Sequence, residues 1–127
     1  MTLFIDTSEN DKLTFGLLEK GSFSSFQTSK LSEQILGLLE RFLKHSRTKK
    51  HLLSKIAVVT GPGHFSRIRT GVTLANSLAF ALGLKVVGIQ KDLRPLNYQK
   101  IRESKGQDQV LPHYDSKPHI TLNRAKV

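Results

Sequence analysis

The stretch from residue 55 to residue 90 constrains the fold more than any other part of this 127-residue chain. Residues 55–60 carry Ile56, Val58 and Val59 and read as a short buried strand. Gly61-Pro62-Gly63 ends it sharply, and Ser66 stands where a helix N-cap is expected. A helix is predicted over 67–82, with Gly83 at the left-handed C-cap position, and residues 85–89 form another apolar strand. Strand, helix and strand joined by so short a crossover make a parallel βαβ unit.

The surface of that helix is unusual. Ile68, Val72, Ala75, Ala79 and Leu82 form one apolar stripe. Leu74, Leu78 and Ala81 form a second, about 100° away at 3.6 residues per turn, and Phe80 projects on a third side. No charge follows Arg69 until Lys85. A helix apolar nearly all round must be buried nearly all round, and a domain this small covers only one side. Either the chain's own tail covers the rest or a second subunit does, and the subunit interface is the better reading.

The N-terminal third reads as strands over 2–6, 13–18 and 22–27, with turns at 9–11 and 19–21. Three short strands in this order make an antiparallel meander. Over residues 30–45 the period changes: Leu31, Ile35, Leu38, Leu39 and Phe42 lie on one stripe of an amphipathic helix, and Thr28 or Ser29 can cap it. Leu36 and Leu43, seven residues apart, fall on a second face. The expected fold class is therefore α/β: a meander followed by helix–strand–helix–strand, forming a mixed sheet with helices packed on it.

Residues 91–127 change character. Pro95, Pro112 and Pro118 punctuate them and only 11 of 37 positions are apolar. One short helix is predicted near 96–104, then an irregular arm, so the expected organisation is a lobe over 1–90 and a basic tail over 91–127. That is too little material for a second lobe.

Composition narrows the function. There is no Cys, which removes disulfides, thiolate metal sites and a cysteine nucleophile. The five His residues show no HxxxH or HExxH spacing, so no metal is expected. The longest uncharged run, residues 70–84, is too short to span a bilayer, and no early stretch has the pattern of a secretory signal. A soluble cytoplasmic protein is expected, with no membrane association. The net charge of +10 favours acidic partners, nucleic acid first among them. Its one dense cluster, Lys44, Arg47, Lys49 and Lys50 with His45 and His51 alongside, is either a solvated loop or a polyanion contact.

The turn Gly61-Pro62-Gly63-His64-Phe65-Ser66 lies where a phosphate-cradling loop belongs. It lacks the Gly-Lys-Ser/Thr ending of a Walker A loop and the third glycine of a dinucleotide fingerprint. Arg67 and Arg69 in the first helical turn oppose the helix dipole by about 0.3–1 kcal/mol each. A bound anion or a partner's carboxylate can compensate them; the bland alternative is an exposed, unimportant pair. Asp6-Thr7-Ser8 closes the first strand, where an acid can serve metal or phosphate chemistry or simply cap a turn. His64 has no nucleophile or carboxylate tied to it by spacing, and no catalytic constellation is visible.

Three segments, LFIDTS, LLERFLKH followed by KIAVVTGPG, and GPGHFSRIRTGVTLANSLAFALGLKVVGI, together resemble the TsaB (YeaZ) family over about residues 2–90. The family hallmark is Gly-Pro-Gly-Ser-Phe-Thr-Gly-Leu-Arg-Ile-Gly before an Ala-rich helix and an apolar strand. This chain keeps Gly61, Pro62, Gly63, Phe65, Arg69 and Gly71, with similar residues at Ser66 and Ile68. It departs at His64, Arg67 and Thr70, where the family has Ser, Gly and Ile. Pro112 and Tyr114 resemble a Pro-x-Tyr near the usual family C-terminus.

The resemblance implies a single actin/Hsp70-like, ribonuclease-H-type lobe. It implies a non-catalytic subunit that pairs with a paralogue, TsaD, in threonylcarbamoyl modification of the adenosine beside the tRNA anticodon, with an ATPase, TsaE, binding the pair. The two paralogues meet through helices of their first lobes, which puts Leu36, Leu43, Leu74, Leu78, Phe80 and Ala81 at the expected interface. A single lobe makes no interlobe nucleotide cleft, so no cofactor is expected. A homodimer through the same face is a further expectation. The rival readings are a tRNA- or nucleic-acid-binding accessory protein without TsaD and, least favoured, an enzyme of the glycopeptidase kind with which some relatives are labelled.

Overall fold

A computed structural model describes residues 1–9, 12–19, 22–28, 34–63, 65–90 and 98–112, with 98–100 described as backbone. The strands are β1 (Thr2–Asp6), β2 (Leu13–Glu19), β3 (Ser22–Thr28), β4 (Lys55–Gly61) and β5 (Lys85–Gln90). The helices are α1 (Ile35–His45), α2 (Phe65–Leu82) and α3 (Tyr98–Glu103), and a single 3₁₀ turn spans Lys50–Leu52. One five-stranded sheet has the order β3-β2-β1-β4-β5. The β1–β2 and β2–β3 pairs are antiparallel, whereas β1–β4 and β4–β5 are parallel. The meander, the βαβ unit and the mixed sheet expected from the sequence are all present.

Strand side chains alternate between faces, and the two faces carry separate cores. Leu3, Ile5, Phe15, Ile56, Val58 and Val86 pack under α1 and α2, against Leu39, Phe42, Ile68, Val72 and Ala75. Phe4, Leu18, Ala57, Val59 and Ile89 pack on the other face, against Ile101 of α3. This is why β1 and β4, in the middle of the sheet, are apolar at every described position from Leu3 to Ile5 and from Ile56 to Val59. The outer strand β3, by contrast, is largely exposed and supplies Phe23 against Phe4 and Phe26 against Phe42.

Two expectations about helix starts are corrected. α2 begins at Phe65, so Ser66 is inside the helix, where its carbonyl accepts from the Thr70 hydroxyl at 2.8 Å. Thr28 lies in β3, and the residue at the N-cap of α1 is Gln34, which makes no side-chain cap hydrogen bond. Leu31 and Ser29 lie outside the described residues. At the other end of α2, Gly83 takes φ +69° and the Leu84 N–H donates to the Ala79 carbonyl at 2.8 Å, the closing bond of a Schellman cap.

The described part of the C-terminal segment is tied to the lobe. Lys55 Nζ donates to the carbonyls of Ile101 and Arg102 at 3.0 and 2.9 Å, and also to that of Ser104, neutralising the exposed C-terminus of α3. The chain then pairs Gln107 with Val86 along the outer edge of β5 and buries Val110 in the α1–α2 core. Asn76 of α2 holds Val110 at both backbone groups, donating to its carbonyl and accepting from its N–H, each at 2.9 Å. Asn76→Ala is expected to cost about 1–3 kcal/mol by leaving both groups unpaired. Urea unfolding measures the cost, and hydrogen exchange should show faster opening at Val110 while the central strands stay protected.

Lys85 also pairs with Asp108 in this strap. The hydrogen bond and then the positive charge of Lys85 hold the Asp108 carboxyl below its ordinary value. This tie is therefore present above about pH 4 and is lost as the pH falls through the lowered value. Both groups are solvent-exposed, so salt weakens it.

Candidate functional site

The glycine turn, the end of β1 and the first turns of α2 meet at one place. Gly61 takes φ +119°, which only glycine adopts readily, and it is followed by a cis Gly61–Pro62 peptide. Gly63 lies so close that an added Cβ would stand 2.9 Å from Ile68 Cδ1 and 3.4 Å from the Ser8 carbonyl. Asp6, Thr7 and Ser8 are all buried here. Asp6 Oδ1 accepts from both the N–H and the hydroxyl of Ser8, at 2.8 and 2.6 Å, and Thr7 Oγ1 donates to the Arg67 carbonyl at 2.6 Å. Asp6 and Ser8 thus close the strand as an Asx turn, and Thr7 locks α2 onto β1. His64 lies outside the described residues.

The two arginines go different ways. Arg67 folds back from α2, and its Nη2 donates to the carbonyls of Glu9 and Lys12 at 2.7 and 3.4 Å, while its Nε is buried with no hydrogen-bond partner among the described residues. The charge that opposes the helix dipole is compensated by backbone carbonyls of the β1–β2 connection, a partner that spacing cannot reveal. Arg69 remains exposed, 5.8 Å above the Phe65 ring.

A concavity lies between α1 and α2. Ile35 and Leu36 line it from α1, and Leu74, Leu78 and Ala81 line it from α2. Ser66, Arg69, Thr70, Thr73 and Ser77 form its polar part. Four of the six expected interface residues therefore share one groove: Leu36, Leu74, Leu78 and Ala81. Leu36 is 52% exposed, whereas Leu74 is buried and forms the floor.

Leu43 is a correction. It is 4% exposed and belongs to the core. The seven-residue spacing places it below Leu36, but it also lies four residues after Leu39, and with Leu39 and Phe42 it forms the buried face of α1. Phe80, at 91% exposure, is outside the groove lining, on the third side predicted for it.

α2 is also less uniformly apolar than its two leucine and alanine stripes suggested. Ser66, Thr70, Thr73 and Ser77 recur at i, i+4, i+7 and i+11, a hydroxyl stripe along the groove that the sequence displays openly.

In the basic cluster Lys44, Arg47 and Lys49 are exposed, while Lys50 Nζ is paired with Glu40 at 2.7 Å. Among the described residues no three His, Cys, Asp or Glu side chains converge to hold a metal ion, and no helix is long and apolar enough to cross a membrane.

A lobe with this strand order, two helices on one face and an open groove between them defines a class, the actin/ribonuclease-H-type α/β lobe. The family model TsaD, tRNA N6-adenosine threonylcarbamoyltransferase, matches residues 25–94, and the chain belongs to that family. Among solved structures, YeaZ from Pseudomonas aeruginosa is similar with a TM-score of 0.63 and 29% identity, covering 70% of this chain and 42% of that one. A second structure, of an uncharacterized protein with similarity to peptidase YeaZ from Pseudomonas aeruginosa, gives a TM-score of 0.65 and 28% identity, covering 80% of this chain and 48% of that one. Within the family the chain is therefore TsaB/YeaZ-like, and it matches less than half the length of either structure. No curated protein matches it.

Proposed function

We propose that this chain is a non-catalytic subunit that docks its α1–α2 groove on the first lobe of a TsaD-type transferase and supports threonylcarbamoyl modification of tRNA. The observation that carries the reading is the open apolar groove between α1 and α2, with the exposed Leu36 on one wall and the half-buried Leu78 on the other. Exposed apolar side chains in a continuous concavity mark a surface built for a partner. The first lobe of a TsaD-type protein offers helices of the same kind, because this chain belongs to the same family.

In this reading residues 1–90 provide the docking lobe and residues 91–127 the tail, a TsaE-type ATPase engages the pair, the proteins meet in the cytoplasm, and the chain uses no cofactor or metal of its own. The turn of Asp6, Thr7, Ser8, Gly61, Pro62 and Gly63 sets the pose of α2 and so the shape of the groove. Light scattering on a sizing column, with the chain mixed with the TsaD protein of the same organism, tests it. A species with the mass of one copy of each is expected. Separate elution, with this chain monomeric or homodimeric, would sink the reading and move a TsaD-independent RNA-binding role to first place, on the strength of the +10 charge.

A further inference from the structure

We propose that the C-terminal cap of α1 is a contact for the phosphodiester backbone of RNA, and that Arg47 is held there at the expense of fold stability. The choice of RNA rests on the tRNA-modification reading above; the strain at Arg47 does not.

The chain closes α1 and α2 with the same motif. At α2 the Leu84 N–H bonds the Ala79 carbonyl and the left-handed residue is Gly83. At α1 the Thr48 N–H bonds the Leu43 carbonyl at 2.9 Å, the Arg47 N–H bonds the Lys44 carbonyl at 3.1 Å, and the left-handed residue is Arg47 at φ +55°. Among the described non-glycine residues only Arg47 has positive φ. Glycine fills this position without strain, and a long side chain with a Cβ does not. Strain kept at one residue points to a use for its side chain.

The surroundings name the use. Arg47 is exposed and forms no ion pair with a described residue, and the same holds for Lys44 and Lys49 on either side of it. The 3₁₀ turn brings Lys50 back to Glu40, so the cap is compact: the cations at 44, 47 and 49 stand beside one neutralised pair. His45 and His51 are exposed within it. Several cations without an ion-pair partner among the described residues, on one hydrogen-bonded helix end, suit closely spaced phosphates, and Arg offers a planar fork to them.

Unmodified tRNA transcript titrated into the full chain over a series of salt concentrations tests this, alongside thermal melts. Arg47→Gly should raise Tm by about 2–6 °C. It should also weaken tRNA binding at low salt about threefold or more, and make the slope of log K against log salt shallower by about 0.7–0.9. Arg47→Lys should keep the Tm and the salt slope near those of the parent, and lose part of the affinity with the planar fork. Lys44→Gln and Lys49→Gln should weaken binding as well, and Lys50→Gln less, because Glu40 already holds Lys50.

A stabilised Arg47→Gly protein with unchanged tRNA affinity and salt slope would overturn the proposal, as would a fall in Tm, which would make Arg47 a structural residue. Heterodimer formation with TsaD, scored on the same variant, should be unaffected. If the parent chain forms no heterodimer yet loses tRNA binding with Arg47→Gly, the docking reading fails and the RNA contact stands.

Discussion

Gly71→Val should destabilise the chain by about 3 kcal/mol, more than any surface change, and lower its Tm by roughly 10 °C. An added Cβ at residue 71 collides with Thr7 Oγ1 and stands 3.1 Å from Thr7 Cγ2. Thr7 has nowhere to go: it is fully buried, and its hydroxyl is committed to the Arg67 carbonyl one turn earlier on the same helix. Moving α2 outward instead would open the core at Ile68, Val72 and Ala75. The modest helix-propensity gain over glycine, a few tenths of a kcal/mol, does not offset this. Gly37→Ala is the control. It lies in α1 with nothing within 4 Å of its added Cβ, and should be neutral or stabilising by up to about 1 kcal/mol. Circular-dichroism melts of the two variants check both. An unchanged melt for Gly71→Val would mean that α2 does not sit this close to β1.

Leu78→Glu should weaken the complex with TsaD about 100-fold or more and leave the isolated chain folded, with a stability change within about 1 kcal/mol. Leu78 is half-buried in the groove wall, so its carboxylate stays hydrated in the free chain. Docking of a partner would strip that water away without supplying a counter-charge, at a cost of several kcal/mol. Isothermal titration gives the affinity and urea unfolding the stability. Full affinity in a folded Leu78→Glu protein would place the interface elsewhere. Phe80→Ala separates the two faces of α2, because Phe80 projects away from the groove and its removal should leave binding unchanged.

Most of the fold was legible because it rests on local signals. The apolar run of Leu3, Phe4 and Ile5, the Gly-Pro-Gly stop, the 3.6-residue stripe of Ile68, Val72, Ala75 and Ala79, and Gly83 after α2 each act within a few residues, and each matches the structure. What stayed hidden depends on contacts distant in sequence. Leu43 has the spacing of a second face when counted from Leu36, yet it lies four residues after Leu39, on the buried face of α1, and shares a core with Leu53 from beyond the helix. Arg67 places its Nη2 on carbonyls 58 and 55 residues away. Asn76 and Lys55 look like ordinary surface polars until the strap from Ile101 to Val110 arrives to use them. The left-handed conformation at Arg47 could not be foreseen, since composition there gives no glycine or asparagine to announce it. The hydroxyl stripe of α2 was visible and was eclipsed by the apolar residues beside it.

The docking claim has a direct test in the chemistry of the chain itself. It contains no cysteine, so Ser77→Cys introduces a unique thiol into the exposed part of the groove. Ser25→Cys introduces one on β3 at the far edge of the sheet. The rate of maleimide modification of each, followed by mass spectrometry with and without TsaD, reports which surface the partner covers. Strong slowing at residue 77 with no change at residue 25 is the predicted result. Equal rates at residue 77 with and without a bound partner would contradict the assignment of the α1–α2 groove as the docking face.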